Sequence, residues 1–262
     1  MLVQWGDGML GAGPSERGLA IGRPAGSRRE AFAGAEAMLA AVTGDTVKTQ
    51  VTGPVTLAAA LRTGGVLGPH LIERVTEQLE SRIDEHLALI RAGANVSRVI
   101  LVLDEPALAA LGSVRPLPAE AAQALLHLIE VFDVEMGLHC CGDTDWGGIA
   151  GLGFDWLSWD VAALGAGFER GVDSIAQALG SGSRVMWGIV PVTSGPLPAE
   201  SVLLARYGTA VANLVVAGAP FEALRARALF TPACGLAGLS VEGAQAVADA
   251  LGTVVEEVES GW

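Results

Sequence analysis

Short runs rich in β-branched and other apolar residues alternate, from residue 46 onward, with longer stretches in which Ala, Leu, Glu and Arg recur at helical spacing. That alternation predicts repeated βα units around a parallel sheet. Strands are expected near 46–52 (TVKTQVT), 98–104, 133–140 (DVEMGLHC), 156–161 (WLSWDV), 185–190 (VMWGIV) and 227–231 (RALFT). The clearest helices are expected over roughly 66–92, 117–131, 198–216 and 240–258, the second announced by Pro-Leu-Pro-Ala-Glu. A poorer strand near Leu2–Trp5 and a Gly/Pro/Arg-rich loop over 6–29 precede them. The count points to an α/β chain of (β/α)8 TIM-type, lacking the first strand and helix. The layout expected is a loop-rich segment with the first visible helix over 1–45 and a single barrel domain over 46–262.

In such folds chemistry gathers where strands run out into loops at their carboxyl ends. Those ends carry Thr52-Gly53-Pro54, Asp104-Glu105-Pro106, His139-Cys140-Cys141-Gly142, Asp160, Pro191 and Thr231-Pro232-Ala233-Cys234-Gly235. His139 and Cys141 are two residues apart and share a face if the strand continues through both, while Cys140 points the other way, into the core. Imidazole and thiolate are ligands that zinc prefers, and Cys234 supplies a third from another strand end. Asp160 is placed to fill a fourth position until a substrate displaces it. Asp104 and Glu105 read either as site carboxylates or as helix-start charges. Trp156, Trp159 and Trp187 read as packing residues.

Composition narrows the function classes. With 51% hydrophobic residues in 262, the chain can bury a large core. A net charge of −13 with scattered arginines excludes a nucleic-acid partner. Lys48 is the sole lysine, which leaves no phosphate-loop Gly-Lys motif and no other place for a pyridoxal Schiff base. Three cysteines, two of them adjacent, do not make a disulfide framework. Without an apolar run long enough for a membrane span or a signal peptide, the expectation is a cytoplasmic protein with no membrane partner, and a homo-oligomer is one assembly it allows.

The motifs QVTGPVTLAAAL at 50–61, LVLDEPAL at 101–108, LHCCGDTDW at 138–146, MWGIVPVTSG at 186–195 and TPACGLAG at 231–238 occur in a telling order. Together they resemble the C-terminal catalytic half of cobalamin-independent methionine synthase, and most closely its short single-barrel bacterial relatives, over about residues 46–240. The resemblance implies a Zn2+ cofactor held by His139, Cys141, Asp160 and Cys234, with Asp160 standing where the synthase usually has glutamate. It also implies that Asp104 binds the amino group of homocysteine at the catalytic site, with Glu105 beside it in the substrate-binding pair. The activity implied is that of a methyltetrahydropteroyltriglutamate–homocysteine methyltransferase, a zinc-dependent methyl transfer to homocysteine or another small thiol from a methylated folate or a methylcorrinoid. LHCCGDT also looks like the methylcobamide:thiol methyltransferase branch of the uroporphyrinogen decarboxylase superfamily, which shares the barrel. A zinc-binding relic of the barrel without catalysis is the third reading.

Overall fold

The computed structural model describes residues 37, 39–41, 43–92, 96–112, 115–193 and 195–261. In chain order they form β1 (Thr46–Thr52), α1 (Pro54–Thr63), α2 (Leu71–Ala92), β2 (Arg98–Asp104), α3 (Ala107–Leu111), α4 (Ala119–Val131) and β3 (Glu135–Cys140). Then follow α5 (Trp146–Ala150), β4 (Trp156–Asp160), a 3-10 turn at Val161–Ala163, α6 (Ala166–Gly180), β5 (Arg184–Val190), α7 (Glu200–Val216), α8 (Phe221–Leu224), β6 (Leu229–Pro232), a 3-10 turn at Leu236–Gly238 and α9 (Val241–Gly261). The expected α/β alternation is present through six described strands. The strand expected near Leu2–Trp5 and the loop over 6–29 lie outside the described residues. Two compact units form, one from the described residues through Asp104 with Ala119–Glu135, the other from Glu105–Pro118 with the described residues from Met136 onward.

In the first unit β1 and β2 pair in parallel, from Thr46 opposite Arg98 to Thr52 opposite Asp104. Val99 to Leu103 are all buried, as an unbroken apolar run in a parallel strand requires. Helix α2 turns Leu71, Val75, Leu79, Ile83, Leu87 and Ile90 inward while Glu73, Glu77 and Asp84 stay on its polar side. It starts at Leu71 rather than near 66 because Gly64, Gly65 and Gly68-Pro69 come first, and His70 takes a left-handed φ of 54° outside the helix. Helix α1, which the spacing does not single out, carries its signal in Pro54 at the first turn, where a missing N–H costs nothing. His86, buried on α2, shares a 2.7 Å hydrogen bond with Thr49 Oγ1 of β1.

In the second unit β3, β4, β5 and β6 pair in parallel, setting His139 opposite Ser158, Trp159 opposite Trp187, and Trp187 opposite Phe230. One face holds a run of edge-to-face rings: Trp146 on Trp159, Trp159 on Phe168 and Trp187, Trp187 on Tyr207, Tyr207 on Phe230, with centroids 5.2 to 5.7 Å apart. The indole N–H of Trp187 donates to the Leu224 carbonyl, so this ring brings its polar atom into the core already satisfied. Helices α5 and α6 approach closely through glycine. A Cβ on Gly171 would lie 2.9 Å from the Cα of Gly147, and one on Gly167 would run into the Thr144 carbonyl.

Trp159 touches three other rings and is fully buried. Trp159→Ala should destabilise the protein by about 3–5 kcal/mol, read as a lowered urea midpoint followed by near-UV dichroism. A midpoint shifted no more than that of a surface substitution would contradict the ring packing. Burial pushes the His86 imidazole below its ordinary pKa. The unfolded chain therefore binds the extra proton first, and stability should fall as pH drops below about 6.5 towards the folded-state value. That part of the slope should vanish in His86→Gln, measured by urea unfolding from pH 7.5 to 5.5, values set by the ordinary imidazole pKa of about 6.5.

Candidate functional site

His139, Cys141, Asp160 and Cys234 all belong to the second unit, each at or just beyond a strand's carboxyl end. The β pleat gives His139 of β3 the same face as Ser158 of its neighbour β4, and His139 Nδ1 meets Ser158 Oγ at 3.0 Å. With its proton on Nδ1, the ring donates to Ser158 and leaves the Nε2 lone pair available. Nε2 is buried and completes no hydrogen bond. A buried polar atom without a partner is costly and needs a physical account.

Cys141 follows β3 and Cys234 follows β6; their side chains hydrogen-bond to one another. The proton sits on Cys141, whose thiol pKa is pushed up first by that bond and then by burial. The Cys234 thiol is pushed down to about 4, first by the Cys141 hydrogen bond and next by His139. The His139 imidazole thus lies beside Cys234. Cys140 is fully buried, and burial raises its thiol pKa, which makes it an inert core residue.

Asp160 closes β4 and its Oδ1 accepts from Ala162 N–H at 2.8 Å, capping the 3-10 turn. Burial raises its carboxyl pKa, offset in part by the Ala162 bond and then by the charge of His139. Asp160 therefore feels the His139–Cys234 cluster while serving as a cap. Among the described residues no three His, Cys, Asp or Glu side chains are arranged to hold a metal ion. What the fold assembles is a His139–Cys234–Cys141 chain of contacts with Asp160 in its field. Its donor types are those of a zinc site, and the partnerless Nε2 fits a ligand that this side-chain arrangement leaves undirected.

The residues that shape this cluster are less visible in the sequence than the donors. Asp143 accepts from Gly167 N–H at 2.8 Å and from Phe168 N–H at 3.2 Å, so its carboxylate caps α6. Asp145 accepts from Leu117 N–H at 2.8 Å and Gly148 N–H at 3.1 Å. The loop that carries Cys141 is thus pinned twice within four residues. Gly188, inside β5, is the second such feature: a Cβ there would lie 2.5 Å from the Trp159 carbonyl and 2.9 Å from the Cα of Ala233, the residue before Cys234. Ala233 N–H donates to the Val190 carbonyl at 2.8 Å, holding the cysteine's loop against β5. A glycine inside an apolar strand was the available signal for that close approach.

Glu105 belongs to the same unit, is fully buried, and donates its backbone N–H to the His139 carbonyl at 2.8 Å. Asp104 ends β2 in the first unit, where Gln50 Nε2 donates to its Oδ2 at 2.8 Å and Gly53 N–H donates to its carbonyl at 2.9 Å.

Residues 21–259 match the family described as the cobalamin-independent synthase, catalytic domain. A solved structure with a similar fold is a B12-independent methionine synthase from Shewanella sp. W3-18-1 in complex with selenomethionine. It is 16% identical, with a TM-score of 0.56, over 82% of this chain and 62% of that one. The chain spans 62% of that protein's length, and at this identity the likeness is one of fold. No protein with a curated description matches the chain.

Removing the pin should loosen the cluster. Asp143→Ala should destabilise the protein by about 1 kcal/mol, the range for a lost helix cap, read as a lowered urea midpoint. Asp143→Asn, which keeps one acceptor oxygen, should fall between. An unchanged midpoint in Asp143→Ala would show that the loop needs no such anchor.

Proposed function

The chain belongs to the cobalamin-independent synthase catalytic-domain family, and from that premise we propose that it is a zinc-dependent methyltransferase that methylates a thiol, with homocysteine as acceptor and methionine as product. The observation that carries this reading is the contact chain of Cys141, Cys234 and His139, in which two thiols share a proton beside an imidazole anchored by Ser158. Residues 46–262 are read as the catalytic barrel and 1–45 as its leading segment.

His139, Cys141 and Cys234 would hold the zinc, with Asp160 as the exchangeable fourth donor. A zinc ion there supplies one thing, a lowered pKa that keeps the acceptor's thiol as thiolate at neutral pH. The chain's own residues do the rest. Ser158 fixes the His139 ring so that Nε2 is the donor atom. Cys141 gives up the proton it holds against Cys234, so both sulfurs become anionic donors and raise the electron density of the site. Asp160, which caps the turn through Ala162 N–H, would be the carboxylate available as the fourth donor. Asp104 accepts charge-assisted hydrogen bonds from the substrate's ammonium, selecting an amino-acid thiol, with Glu105 beside it in sequence. The acceptor sulfur then attacks the methyl carbon in line, a C–S bond forming as the bond from methyl to its donor breaks, and the electron pair leaves with the donor, a methylated folate or a methylcorrinoid.

The test is zinc content followed by zinc X-ray absorption with and without homocysteine. The protein should bind about one zinc per chain with mixed nitrogen and sulfur ligation, gain a sulfur neighbour when homocysteine is added, and lose affinity in Cys234→Ser. Protein that takes up no zinc would overturn the ligand assignment. Zinc whose shell ignores homocysteine would leave metal binding without thiol activation.

A further inference from the structure

The first unit contains a polar ladder that the metal chemistry does not use. On β1, Lys48, Gln50 and Thr52 share one face by the two-residue period of the strand, and Thr52 stands opposite Asp104 in the register of β1 and β2. Lys48 Nζ donates to Gln50 Oε1 at 2.6 Å, and Gln50 Nε2 donates to Asp104 Oδ2 at 2.8 Å. The sole lysine of the chain is therefore tied, through one amide, to the carboxylate at the end of the next strand.

The order of these groups sets the direction of the ladder. An ammonium only donates, so Gln50 must turn its carbonyl oxygen towards Lys48, and its NH2 group then faces Asp104. An amide that donates to Asp104 favours the carboxylate over the protonated acid, because the ionised form offers acceptors on every lone pair. Burial works to neutralise the Lys48 ammonium, and the charge of Asp104 opposes that. Each end of the ladder thus sustains the charge of the other.

We propose that Lys48 and Gln50 are positioning residues for Asp104, holding its carboxylate rotationally fixed so that it distinguishes a thiol bearing an ammonium group from one without it. The inference rests on the reading of Asp104 as the residue that binds the substrate's ammonium.

The experiment is calorimetry on zinc-loaded protein with two thiols, homocysteine and γ-mercaptobutyrate, which is the same carboxylic acid without the amino group. The wild type should prefer homocysteine. Gln50→Met should weaken homocysteine binding about ten- to a hundred-fold, the range for a lost hydrogen bond to a charged group, and leave γ-mercaptobutyrate unchanged. Lys48→Met should act in the same direction, and Lys48→Arg, which keeps a cationic donor, should recover most of the preference. A wild type that binds both thiols equally would sink the role of Asp104 itself. A wild type that prefers homocysteine while Gln50→Met keeps that preference, or loses affinity for both thiols alike, would overturn the positioning role and leave the ladder as a support of the fold. Lys48→Arg decides the matter should Lys48→Met fail to fold: recovered discrimination supports the proposal, and discrimination lost in a folded, zinc-loaded Lys48→Arg protein counts against it.

Discussion

The two-residue period of the β-strand is the constraint on which the second unit depends. Parallel pairing brings Trp159, Trp187 and Phe230 side by side on one face and, by the same register, turns His139, Ser158 and Asp160 to the other. A slip of β4 by one residue would put the Trp159 indole where Ser158 belongs, opposite His139. The ring run therefore does more than fill the core: because it tolerates only one register, it also fixes which strand-end residues face the cluster of Cys141 and Cys234. Packing and chemistry are two readings of one alignment.

Much of this alignment was legible in the sequence. The six described strands fall within a few residues of their expected places because parallel strands are short apolar runs whose ends are marked by residues such as Asp104, His139 and Asp160. The candidate residues His139, Cys141, Asp160 and Cys234 stood out for the same reason, since each lies at or just beyond a strand end. What was not legible depends on partners distant in sequence. Ser158 reads as an ordinary strand serine until the register puts it opposite His139. Asp143 and Asp145 read as polar loop residues until the N-termini of α6 and α5 meet them. Asp160 shows the reverse limit: the sequence presents a carboxylate at a strand end, and only the fold reveals that the adjacent turn also uses it.

The cysteine pair shows how two thiols at different strand ends come to share one proton. Two sulfurs close together resist carrying two negative charges, so one keeps a proton and lends it to the other. A cation that replaces this proton removes both the repulsion and the shared hydrogen bond in a single exchange, which makes metal capture and proton release one event. The nearby imidazole is anchored through Ser158.

The glycine seam between α5 and α6 bears on how this protein would respond to engineering. Replacing helical glycines by alanine is a common route to a more heat-resistant variant, worth about 1 kcal/mol per site where the backbone allows it. Along the seam that route is closed, because Gly171 faces backbone atoms rather than space. Among the described residues, nothing lies within 4 Å of where a methyl group on Gly252, in the middle of α9, would stand. Two residues of one type, both helical, thus mark opposite ends of the range of mutability: one is fixed by the approach of two helices, and the other is open to improvement.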